Sequence, residues 1–170
     1  MYRDFTTLEG DAATTSATTA AMQEFAVVHY AGHAVFNDER PERSMLALAR
    51  DSAGGPIGLA AEAIARLDLS NVRLVVLSAC ETIRGRAAST GGFTGLAAAF
   101  RNAGADGVVG SLWRVDDQST TALMADFHRE YVALGDPSAA LRAAQLHYLK
   151  SAMGARASPF AWAAFRYVGT

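Results

Sequence analysis

The stretch "VRLVVLSAC", residues 72–80, decides the fold. It is a short, continuous apolar run rich in valine, bounded by the polar flanks "LSN" (69–71) and "ETIRGRAASTGG" (81–92). A run of that length with no polar alternation is a strand covered on both faces, which is the habit of a parallel sheet packed between helices. The spacing predicts a strand over Val72–Ser78, and it delivers the only cysteine of the chain, Cys80, to a strand end.

The same signature recurs on both sides. "EFAVVHYAG" (24–32) predicts a buried strand from Phe25 to about His29, ended by Gly32, and "DGVVGSLW" (106–113) predicts a third. Helical patterns lie between them. "DAATTSATTAAM" (11–22) predicts a helix capped by Asp11, and "GLAAEAIARLDL" (58–69) one from about Leu59 to Leu67. "GLAAAFRNAG" (95–104) places Leu96, Phe100 and Ala103 on one face, with Thr94 or Gly92 as cap and Gly104 as terminator. A long amphipathic helix follows from about Asp117 to Ala133, then a second in which Asp136 caps and Pro137 takes the first position. "PFAWAAFRYVG" (159–169) closes the chain as a strand of bulky residues that includes Trp162. Strand, helix, strand repeated in this way defines an α/β fold with a mostly parallel sheet.

Composition fits one soluble domain and excludes several function classes. Of the 170 residues, 51% are hydrophobic and 19% charged, enough apolar side chains for one sizeable core. Fifteen basic residues nearly balance 17 acidic ones without forming blocks, so the footprint of a nucleic-acid or anionic-membrane binder is missing. A single cysteine excludes an internal disulfide and a multi-cysteine zinc site, and it points to a reducing compartment, the cytoplasm by default. No signal peptide and no membrane span of about 20 apolar residues is apparent.

Ligands of open parallel sheets collect beyond the carboxyl ends of the strands. Those ends read "HYAGHA" (29–34), "SACET" (78–82) and "SLWRVDD" (111–117). His29 and His33 are four apart, a zinc spacing only on a helix; the valines and Gly32 make this segment strand and turn, so no metal is expected. His29 then belongs to the strand and to structure, while His33 stands just past it, either as loop filler or as a catalytic base. Cys80 is likewise either a packing residue or a nucleophile; a free thiol has a pKa of about 8.5, and an adjacent imidazole that takes its proton removes the penalty of ionisation. Gly91, Gly92 and Gly95 fit no nucleotide motif, since no Lys-Ser/Thr pair follows. Trp113, Trp162 and Phe165 could line a groove, but aromatics at strand positions are more often core.

Taken in order, "VVHYAGHAVF" (27–36), "SMLALA" (44–49), "LDLSNVRLVVLSACET" (67–82), "GGFTGLAAAFRNAGADGVVGSLWRVDDQSTTALMADFHREY" (91–131), "PSAALRAAQLHYL" (137–149) and "PFAWAAFRYVG" (159–169) resemble the successive blocks of the CHAT domain. That family groups with caspases, gingipains and separases among the His/Cys-dyad peptidases. The resemblance implies a caspase-like three-layer α/β/α sandwich over residues 1–170, lacking the family's first strand and helix and forming the C-terminal part of a longer protein. It implies a cysteine endopeptidase in which His33 is the catalytic histidine and Cys80 the nucleophile, with the backbone N–H groups of Cys80 and Ala34 holding the oxyanion. Most relatives carry glycine where Ala34 stands.

The resemblance further implies a protein or peptide substrate, no metal and no cofactor, upstream tetratricopeptide repeats or another part of the parent protein as partner, and a setting in prokaryotic signalling or defence. Glu81, Asp116 and Asp117 are the acidic candidates for substrate specificity, favouring a basic residue before the cleaved bond. For the two aspartates, capping of the next helix is the competing role. The alternative function is a latent or inactive caspase-like interaction module.

Overall fold

The computed structural model describes residues 2–51, 54, 57–79, 95–151 and 158–169. In chain order the strands are β1 (Val27–Ala31), β2 (Ala34–Val35), β3 (Met45–Leu46), β4 (Leu59–Ala60), β5 (Leu74–Ser78), β6 (Gly107–Ser111) and β7 (Phe165–Gly169). The helices are α1 (Thr15–Glu24), α2 (Ala61–Ile64), α3 (Leu96–Asn102), α4 (Asp117–Leu134), α5 (Pro137–Ser151) and α6 (Pro159–Trp162).

The main sheet has the order β1-β5-β6-β7; β1, β5 and β6 run parallel and β7 antiparallel to β6. Its centre is β5, where Leu74, Val75, Val76 and Leu77 are each fully buried. Side chains alternate between faces, and each face has its own core. Val75, Leu77 and Val108 pack with Met22 of α1, Ile64 of α2 and Phe100 of α3. Leu74, Val76 and Val109 pack with Leu123 and Phe127 of α4 and Leu141 of α5. Burying each such side chain contributes about 1.5–3 kcal/mol, so the uninterrupted apolar run explains both the central position of β5 and the three-layer sandwich. The expected α/β architecture with a mostly parallel sheet is therefore what forms.

Local chemistry sets the element ends. Asp116 accepts from Ser119 N at 2.9 Å and starts α4; Asp136 accepts from Ser138 N and Ala139 N at 2.8 and 3.0 Å and starts α5 with Pro137 in its first turn. Gly104, at φ +108°, ends α3 in a conformation that side chains with a Cβ disfavour.

Several expectations need correction. Asp11 lies in a 3-10 turn over Gly10–Ala12; Thr14 is the cap of α1, its hydroxyl accepting from Ala17 N at 3.2 Å. The helix expected over Leu59–Leu67 reduces to α2. Leu59–Ala60 joins a sheet instead, and beyond Ile64 the bonds from Arg66 N to Ala63 O and Leu67 N to Ile64 O tighten the chain into 3-10 form. The first residue of α3 follows Gly95 at φ +100°, which holds the cap position without a side-chain bond; Thr94, Gly91 and Gly92 lie outside the described residues.

Trp162 ends α6 rather than sitting in the last strand, because Ser158 caps a helical turn begun by Pro159. β1 is an edge strand, half-exposed rather than buried, and it extends past His29 to Ala31. A second sheet, β2-β3-β4, is antiparallel and was not anticipated, since strands of two residues carry no periodicity.

Candidate functional site

β1 and β5 are parallel neighbours with Ala31 opposite Ser78. From these partners the sequence runs two residues to His33 on one strand and two residues to Cys80 on the other. Cys80 and Glu81 lie outside the described residues.

The turn that carries His33 is built by Tyr30. Its hydroxyl lies 2.7 Å from the carbonyl oxygens of both His33 and Ala47, so one phenolic proton serves two acceptors at the junction of β1 and the small sheet. Ala47 N also donates to His33 O at 2.8 Å. The ring reaches this position only because Gly32 has no side chain: a β-carbon there would stand 2.7 Å from the Tyr30 hydroxyl and 2.8 Å from the adjoining ring carbon. Burial, partly offset by the contacts to Ala47 and His33, raises the phenol pKa to about 12, so it stays a donor at neutral pH. With its backbone clamped, His33 presents an exposed imidazole, which makes no hydrogen bond among the described residues.

Ala34 opens β2 in extended backbone, opposite Leu46 of β3. The bond from Ala47 N to His33 O makes Ala34 and Leu46 a non-hydrogen-bonded pair, which directs Ala34 N–H away from β3. A β-carbon is unstrained in that conformation, so alanine in place of glycine leaves the donor where a glycine would put it.

The acidic candidates separate. The Asp116 carboxylate is taken up by the cap of α4, and the hydrogen bonds from Ser119 hold its pKa below the usual carboxylate range. Asp117 is exposed in the first turn of the same helix. The aromatic residues pack: Phe165 is buried, Trp162 packs on the α4–α5 core, and Trp113 does the same while its Nε1 donates to Phe160 O at 2.8 Å and its ring stacks on Phe160.

His29, assigned to structure by its sequence context, sits in an unexpected polar chain. Its Nε2 lies 2.8 Å from Ser78 Oγ and its Nδ1 lies 3.0 Å from His128 Nε2, while His128 Nδ1 lies 2.8 Å from the Tyr2 hydroxyl. Although His29 is an exposed residue, desolvation of its ring by packed neighbours and then repulsion from His128 lower its pKa to about 4; burial also lowers that of His128. Nothing in the sequence links positions so far apart. The one signal was a histidine where β1 would otherwise carry an apolar residue.

A mixed α/β fold with a mostly parallel central sheet covered by helices is consistent with the caspase-like class. The model of the CHAT domain matches residues 3–170, and the chain belongs to that family. Among curated proteins no match is found. No helix among the described residues is long and apolar enough to cross a membrane, and no group of three or more metal-ligating side chains occurs among them.

Proposed function

We propose that this chain is a cysteine endopeptidase with Cys80 as nucleophile and His33 as general base. The observation that carries the reading is the register: His33 and Cys80 each follow by two residues a pair of aligned positions, Ala31 and Ser78, on adjacent parallel strands. The exposed imidazole on a clamped turn takes the thiol proton; the thiolate attacks a peptide carbonyl; the same histidine then protonates the departing amine, and water hydrolyses the thioester. Ala34 N–H, turned away from its ladder, and Cys80 N–H receive the oxyanion. Glu81 and Asp117 favour a basic residue before the cleaved bond. The substrate is a protein or peptide, met in the cytoplasm, and neither metal nor cofactor takes part.

A peptide bearing a thiol-reactive group tests this under reducing conditions on the full chain, with the Cys80→Ala and His33→Ala variants alongside. Labelling of Cys80 that falls at least about tenfold in His33→Ala is expected. A folded His33→Ala chain that labels at the wild-type rate overturns the dyad, and a folded wild type that neither labels nor cleaves a diverse peptide library favours the latent interaction module.

A further inference from the structure

A neutral imidazole has one donor and one acceptor nitrogen. His29 and His128 each use both, so the four groups form a chain with one sense of donation from end to end. Either the Tyr2 hydroxyl donates to His128, His128 to His29 and His29 to Ser78, or every bond is reversed. In both cases the tautomers are fixed together and the His29 ring, held at both nitrogens, cannot turn. The two rings lie 4.9 Å apart at 36°, Phe127 flanks His128 at 5.3 Å, and Tyr2 meets it edge-on. Burial and then the nearby Tyr131 raise the Tyr2 pKa to about 12; burial also raises that of Tyr131, on which Arg73 and Asp106 act in opposite directions.

Packing alone asks for none of this. Val27 and Val76 on the same face of the sheet join the apolar core of α4 and α5. In their company a histidine pair is an expense of desolvation, and its far end falls on one hydroxyl, that of Ser78. Ser78 is the last residue of β5, two before the cysteine, and His29 belongs to the strand that leads to His33.

We infer that His29 is a positioning residue for the Cys80 site, acting through Ser78 and held in place by His128. The inference rests on the peptidase reading. At the end of the parallel ladder, where Ala31 stands opposite Ser78, the His29–Ser78 contact adds a side-chain tie to the backbone pairing of β1 and β5. It thereby fixes the distance between the segments that carry base and nucleophile, on which thiol ionisation depends.

The single cysteine makes the test direct, since every alkylated thiol is Cys80. The pH dependence of iodoacetamide alkylation is measured on the full chain for wild type, His33→Ala, His29→Leu, His29→Gln and Ser78→Ala, with thermal melting to verify folding. Positioning predicts that His29→Leu and Ser78→Ala raise the apparent thiol pKa by about one unit, a loss of roughly tenfold in alkylation rate near pH 6.5. His29→Gln, which still reaches Ser78 with a polar atom, recovers most of that rate. A purely structural role would lower the melting temperature and leave the native profile alone.

A depressed thiol pKa that is lost in His33→Ala but unchanged in folded His29→Leu and Ser78→Ala overturns the positioning role only. A wild-type thiol that titrates near 8.5, unaffected by His33→Ala, overturns the peptidase reading and this inference with it.

Discussion

The ring of Tyr30 occupies the space that a side chain on Gly32 would need, and it uses that space to hold the carbonyl of His33. Gly32→Ala therefore pushes the ring off its two acceptors. The expected loss is about 1–3 kcal/mol of stability from overpacking, with slower probe labelling of Cys80 because the His33 turn loses its clamp. Tyr30→Phe removes only the hydroxyl and should cost about 0.5–1.5 kcal/mol. Urea unfolding of both variants, together with their labelling rates, checks the order.

Ala34→Gly tests whether the missing glycine matters. Ala34 is in extended strand with its N–H turned away from β3, so the wild-type donor needs no relief of strain. The variant should label no faster than wild type and lose about 0.5–1 kcal/mol of stability through backbone entropy. A large gain in labelling would show that the alanine obstructs the site.

Acid should loosen the fold through the histidine pair. His29 falls from 6.5 to about 4, so between those values the unfolded chain binds more protons than the native one. Stability linked to this group is complete above about pH 6.5 and is lost as pH falls toward 4. His128, lowered by burial, adds in the same direction. The melting temperature of wild type should drop across that window, and that of His29→Gln should drop less; equal slopes would refute the linkage.

Asp116→Ala should cost about 1 kcal/mol, the usual value of a lost N-cap, whereas Asp116→Ser should restore most of it. The Asp117→Ala exchange should leave stability nearly unchanged and weaken any preference for a basic residue in the substrate. Melting curves and cleavage of matched basic and neutral peptides separate the two aspartates.

How much of this was legible in the sequence follows from the reach of each interaction. The β5 strand was readable because four consecutive fully buried positions write themselves as four apolar letters. The caps at Asp116 and Asp136 were readable because a cap acts over two or three residues. Asp11 misled because Thr14, three residues on, offers a hydroxyl in the same role. The small sheet was hidden, since pairing of Ala34 with Leu46 and of Leu46 with Leu59 is decided by the partners and not by any local period. Of the candidate site, the place of His33 just past an apolar run was readable, while its assignment to catalysis came only from the family resemblance. The clamp by Tyr30 and the chain from Tyr2 to Ser78 are tertiary contacts, and two of their links, Tyr2–His128 and His128–His29, join residues from opposite halves of the protein.

The antiparallel partner of β6 comes from far along the chain, after both long helices. On a ribosome adding about 5–20 residues per second, the outer edge of β6 must wait several seconds for β7 to emerge. During that interval the half-made sheet offers Gly107–Ser111 as an open template, while Ala164 and Phe165 are still missing from the core that α4 and α5 share with the sheet. Emergence of β7, rather than assembly of the central strands, is then the event that closes the β6 edge and ends its time as a sticky intermediate.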